Sequence, residues 1–217
     1  MKARARNLVL VVVVLALWAA SASAEIVTIS LTAEVTYIDD PADLLNGQIN
    51  VGDMVTGRYK YDSDMPDSSS LSTVGAYWHS GAPYGISLDA GGFVFQTDPG
   101  NVRFLVEVLN DQIGQDSYLL RSYNNQPLST GVHVEHIRWQ LDDYSCIAVS
   151  SDALLTTAPV LGDWEYDRGL VISYGYKGAS AISAHVTWVG RIPEPATLLL
   201  LGLGALATMA KRNRPVE

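Results

Sequence analysis

Asp62, Asp64 and Asp67 put three carboxylates within six residues of a serine-rich stretch. Such oxygen clusters can hold calcium, a hard cation that takes about 6–8 ligands. The spacing lacks the further Asp and the closing Glu of an EF-hand loop, so a solvated turn competes with a calcium site. Asp39-Asp40 and Asp142-Asp143 are weaker acidic pairs. His133 and His136 flank Glu135. On a regular strand, positions three apart face opposite sides, so the two imidazoles could share a metal only across a bulge. The helical His pair of zinc proteases is absent, and a structural or surface role is the simpler reading; His79 and His185 stand alone. No nucleophile elbow, phosphate loop or dinucleotide fingerprint occurs. Carboxylate pairs for glycoside hydrolysis come from distant strands and leave no local signature.

Trp78, Trp139, Trp164 and Trp188 offer flat apolar faces that could stack on sugar rings. Trp139 and Trp188 sit on apolar stripes and read as core. Trp78, in the Gly-rich segment AYWHSGAPYG, is the one expected at the surface and is the candidate ligand contact. The single cysteine, Cys146, excludes a disulfide framework. It reads as a small buried hydrophobe, with an intermolecular disulfide or a reactive thiol as alternatives. No catalytic residue emerges, and calcium in the Asp62–Asp67 loop is the single cofactor candidate.

These side chains must be positioned by strands. Val27, Ile29, Leu31, Ala33, Val35 and Tyr37 alternate with polar residues, as half-buried strands do. Further stripes are Val102 to Val108, Ile137-Trp139-Leu141, Leu170 to Tyr176 and Ile182 to Trp188. Val132 and Val134 have the opposite parity to Ile137, which predicts a bulge near Glu135. Turn formers separate the runs, among them Asn46-Gly47, Asp98-Pro99-Gly100 and Gly162-Asp163. No amphipathic helix with caps is visible. The pattern predicts an all-β fold, an antiparallel β-sandwich or jelly-roll-like domain over residues 25–191.

Residues 25–192 hold 8 basic and 21 acidic residues, a difference of −13. Such a body repels nucleic acid over a Debye length of ~8 Å, and nucleic-acid binding is not expected. The remaining cations lie at the ends. Lys2, Arg4 and Arg6 precede an uncharged run from Leu8 to Ala20, and Ala22-Ser23-Ala24 follows. This is the three-part layout of a signal peptide over residues 1–24, with signal peptidase cutting between Ala24 and Glu25. At ~1.5 Å per residue the run is short for a ~30 Å hydrocarbon core.

At the other end Pro193-Glu194-Pro195 is followed by an apolar run, Ala196 to Ala210, and then by Lys211, Arg212 and Arg214. The prolines stop a helix from extending upstream. The basic cluster would hold the tail's end in the cytoplasm, anchoring the precursor in the inner membrane by a short helix. This tail, residues 192–217, resembles the PEP-CTERM sorting signal, also labelled an ice-binding-protein C-terminal domain. The resemblance implies recognition by an exosortase, cleavage near Pro193-Glu194-Pro195, and a Gram-negative bacterium that makes exopolysaccharide. It implies delivery to the cell surface or biofilm matrix. Ice binding itself is not expected, because no regular Thr-x-Thr ladder is present. The segment VGDMVTGRYKYDSD, Val51 to Asp64, is similar to one found among exported PEP-CTERM proteins.

Three functional readings follow. The first is a non-catalytic surface or matrix protein associated with exopolysaccharide. The second is a carbohydrate-binding jelly-roll module, calcium-dependent if the Asp62 loop binds the ion. The third is a surface glycoside hydrolase, which would need two carboxyl groups ~5–10 Å apart in a cleft.

Overall fold

A computed structural model describes residues 26–165 and 169–192. Ten strands follow in chain order: β1 (Ile26–Asp39), β2 (Met54–Asp62), β3 (Val74–His79), β4 (Gly85–Ala90) and β5 (Phe93–Gln96). Next come β6 (Phe104–Leu109), β7 (Asp116–Ser122), β8 (Val134–Asp143), β9 (Gly169–Tyr174) and β10 (Ser180–Arg191). Among the described residues the only helical pieces are two 3-10 turns, Leu161–Asp163 and Tyr176–Gly178.

All ten strands belong to one sheet, in the order β3-β6-β7-β8-β9-β10-β1-β2-β4-β5, with every pairing antiparallel. The all-β antiparallel class matches the sequence expectation. The two separate sheets of a sandwich or jelly roll do not appear. The single sheet curls so that its inner face covers itself. Tyr59 of β2 meets Trp139 of β8 with ring centroids 5.9 Å apart, and Phe95 of β5 meets Tyr174 of β9 at 6.5 Å. Such contacts add about 0.5–1.5 kcal/mol each beyond the burial itself.

The curl also accounts for the one non-sequential excursion. β2 ends at Asp62, and the chain crosses to pair β3 with β6 before β4 returns to β2. The crossing is short in space, since the Asp62 amide donates to His79 Nε2 at 3.0 Å. At the β5 edge, Thr97 bridges to Asn125, and the Gln126 amide donates to the Gln96 carbonyl at 2.9 Å. That pairing covers the C-terminal end of an edge that would otherwise present bare N–H and C=O groups there.

The stripes predicted from alternation face inward: Val27 to Val35 on β1, Ile137-Trp139-Leu141 on β8 and Ile182-Ala184-Val186 on β10 are all buried. Glu135 is the extra residue at a register shift between Val134 and His136, where the parity change places it. Two further bulges overturn expectations. The β1–β10 register slips between Val35 and Tyr37, and again opposite Thr187. Each inserted residue reverses the facing of those beyond it. Tyr37 is therefore 58% exposed, and Trp188, expected in the core, is 53% exposed. Tyr176, read as the end of a stripe, lies in a 3-10 turn and is exposed.

Residues 1–24 and the apolar run 196–210 lie outside the described residues. Among those described, no helix is long and apolar enough to cross a membrane, which says nothing of strands.

Candidate functional site

The acidic loop after β2 is organised by backbone amides. Asp62 Oδ1 accepts the Asp64 amide at 2.9 Å, and its Oδ2 accepts the Tyr84 hydroxyl at 3.3 Å. Asp67 Oδ1 accepts the amides of Ser69 and Ala76, each at 2.8 Å. These are the turn-closing bonds that short carboxylates favour. Asp62, Asp64 and Asp67 are not drawn into one oxygen cage. Among the described residues no group of three His, Cys, Asp or Glu side chains is placed to hold a metal ion.

The histidines also separate. His133 Nε2 lies 3.2 Å from Glu135 Oε2 at the surface, whereas His136 packs on the Tyr123 ring at 5.1 Å. The bulge at Glu135 does not bring them onto one ligand. His79, isolated in sequence, is buried against Tyr61, Tyr84 and Phe104. Its Nδ1 donates to the Tyr77 carbonyl at 3.1 Å while Nε2 accepts the Asp62 amide, an arrangement open only to the neutral ring. Burial holds its pKa below the usual 6.5, and burial, with Arg138 and Arg121 adding to it, does the same for His136. The folded chain thus binds fewer protons than the unfolded one below that value, so acid favours unfolding. Stability should be complete above about pH 6.5 and fall as the pH drops below it toward the lower folded values. Urea midpoints at pH 7.5 and 5.5 read this directly. A midpoint independent of pH over that interval would contradict the neutral-ring assignment.

A second polar cluster lies where β7 meets β8, with Asp116 directly opposite Asp143 and both fully buried. Asp143 Oδ1 accepts the Ser145 amide and hydroxyl at 2.9 and 2.6 Å, and Oδ2 accepts the amides of Ile147 and Ala148 at 2.9 and 3.1 Å. Asp116 accepts the amides of Asp111 and Val149 at 2.7 and 3.0 Å. Burial pushes the Asp143 carboxyl up, but these donors outweigh it and hold its pKa below the usual 3.8. A glycosidase acid needs the reverse shift and a carboxyl open to substrate. The pair is a loop clasp. Cys146 sits in the clasped loop, and burial, followed by the Asp111, Asp116 and Asp143 carboxylates, raises its thiol pKa, opposite to an activated thiolate.

The remaining sequence candidate, Trp78, lies on the outer face of β3, and Trp139 and Trp164 are buried. Trp78 is 37% exposed and stacks on Tyr123 with centroids 5.6 Å apart and planes at 29°. The Arg103 guanidinium lies 5.4 Å from the Trp78 ring centre and 5.2 Å from that of Tyr123. Cation–π contacts of this kind contribute about 0.5–1 kcal/mol at exposed sites. Tyr123, Arg103, Arg121 and Arg138 escaped the sequence reading. Alternation turns Arg121 and Arg138 outward beside Leu120 and Trp139, but only strand pairing sets them on one row with Trp78.

The last strand ends at Arg191, and the Ile192 amide still donates to the Thr28 carbonyl at 2.9 Å. A family model, the PEP-CTERM protein-sorting motif, matches residues 191–214 and so begins where the sheet stops. Pro193, Glu194, Pro195, Lys211, Arg212 and Arg214 fall within that match and outside the described residues, as do Ala22, Ala24 and Glu25 at the other end. No curated protein and no solved structure matches the chain. Such a motif implies a protein sorted by an exosortase and sent outside the cytoplasm. The chain carries this signal directly behind a curled ten-stranded sheet.

Proposed function

We propose that the chain is a non-catalytic protein of a Gram-negative cell surface or extracellular matrix, and that its sheet body associates with exopolysaccharide. The observation that carries the reading is the sorting motif at residues 191–214, placed directly after the last strand. The precursor leaves the cytoplasm on the 1–24 signal peptide, which signal peptidase removes between Ala24 and Glu25. It is then held in the inner membrane by the run from Ala196 to Ala210, with Lys211, Arg212 and Arg214 on the cytoplasmic side. An exosortase cuts near Pro193-Glu194-Pro195 and passes the body outward. Support for a non-catalytic body comes from its polar groups. The Asp116–Asp143 pair clasps a loop, His79 is walled in by aromatic rings, and Asp62 and Asp67 of the acidic loop accept bonds from nearby backbone amides.

Replacing Pro193-Glu194-Pro195 by three alanines should leave a full-length precursor in the membrane fraction and little or no released protein. Immunoblots of membrane and culture fractions, with mass spectrometry of both ends of the released form, read the result. Processing and release at the wild-type level would remove the sorting reading.

A narrower reading, a carbohydrate-binding module, is favoured by the exposed Trp78 with Tyr123 and Arg103 beside it.

A further inference from the structure

The pairing of β3 with β6 builds a row of side chains across four strands that no single segment contains. Trp78 is opposite Leu105, Leu105 opposite Arg121, and Arg121 opposite Arg138. At ~4.8 Å per strand the row extends roughly 14 Å on the outside of the sheet. On the neighbouring row Tyr123 stacks on Trp78 and contacts His136, with Arg103 over the Trp78 and Tyr123 rings.

The charges in this row are unfavourable on structural grounds. Like charges placed directly opposite across strands destabilise a sheet. Glu107, 2.6 Å from Arg121, neutralises one of the two. Arg138 is exposed and has no ion-pair partner among the described residues. Arg103 likewise contacts rings rather than carboxylates. Three of the 8 basic residues in a segment with 21 acidic ones therefore gather on one aromatic face.

We infer that this face binds an acidic polysaccharide, the sugar rings lying against Trp78 and the uronate carboxylates meeting Arg138 and Arg103. The inference rests on reading the body as an exopolysaccharide contact and names the ligand class. Aromatic faces take the C–H side of a pyranose, and a guanidinium matches a carboxylate with two parallel hydrogen bonds. A neutral glycan would leave the arginines unused. Single-stranded nucleic acid could stack on the same rings, but the sorting motif sends the body outside the cytoplasm, where polysaccharide is the polymer at hand. A uronate polymer carries one carboxylate per ring, which the local arginines can pair while salt screens the acidic remainder of the body beyond ~8 Å.

Binding is measured on the full-length chain in detergent, so the result does not depend on processing. The probes are polygalacturonate, dextran and a single-stranded oligodeoxynucleotide, followed by calorimetry or affinity electrophoresis. Wild type should bind polygalacturonate and not dextran, with affinity falling as salt rises. Trp78→Ala and Arg138→Gln should each weaken binding about tenfold or more, the range for losing a stacked ring or a charge-assisted contact. Arg138→Gln should keep or raise the melting temperature, because it relieves the pairing with Arg121. If Trp78→Ala does not fold, Arg138→Gln alone decides. Absence of polygalacturonate binding, equal binding to dextran, tighter binding to the oligonucleotide, or wild-type affinity in Arg138→Gln would each overturn the assignment. None of these outcomes affects the processing test of the sorting signal, which stands or falls separately.

Discussion

An Asp143→Ala chain is expected to lose about 1–3 kcal/mol of stability, since the substitution strands four part-buried donors at once. The carboxylate holds the Ser145 amide and hydroxyl on one oxygen and the Ile147 and Ala148 amides on the other. Asp143→Asn keeps one acceptor oxygen and turns an N–H toward the remaining amides, so an intermediate loss is expected. The urea midpoint gives the size of the effect, and limited proteolysis should show new cuts between residues 144 and 149. A shift under ~1 kcal/mol would mean that water replaces the clasp without penalty. The pH dependence has a definite sign. The folded pKa lies below the unfolded 3.8, so the contribution is complete above that value and is lost as pH falls through the lower folded one. Acid should therefore act in two stages, first through His79 and His136 below about pH 6.5 and then through Asp143.

Gly57→Ala should be at least as damaging as many core truncations, with a loss of about 3 kcal/mol or more. A methyl at this position would stand 2.2 Å from the Ser87 carbonyl oxygen and 2.8 Å from Leu88 Cα. Both are backbone atoms of β4, opposite Gly57 in the β2–β4 register, so no side-chain rotation relieves the overlap. The strands must separate, and β4 and β5 lie outside β2 at that end of the sheet. Gly81→Ala is the matched control, because nothing lies within 4 Å of its added methyl. It should shift stability by less than about 0.5 kcal/mol. An unchanged urea midpoint in Gly57→Ala would show that β2 and β4 approach less closely than described.

The strands that sequence reading located best are those with one wet face. β1, β8 and β10 alternate over most of their length, and away from their bulges and the Asp142-Asp143 end the buried positions follow from residue type. β7, with Asp116 to Leu120 buried on both faces, shows no alternation and was missed. Tyr37 and Trp188 were misplaced because a bulge is set by the partner strand, which a single segment does not reveal. The sorting signal was legible in full, because its three parts are contiguous in sequence and need no strand pairing to bring them together. The outer aromatic face was legible at Trp78 alone. Its arginines come from β7, β8 and the approach to β6, and they share a face with Trp78 only through the non-sequential β3–β6 pairing.

The seam between β1 and β10 sets the timing of assembly. β10 is the last strand synthesised, yet it sits between β9 and β1, and Thr187 bonds to the Thr32 carbonyl across 155 positions of sequence. Until Arg191 has emerged, the two halves of the sheet have no shared neighbour to join them, and long-range pairing of this kind is slow to form. The body therefore closes only as the stretch carrying its sorting signal comes into view. Shortening the polypeptide by even the dozen residues of β10 would leave two half-sheets with raw inner margins.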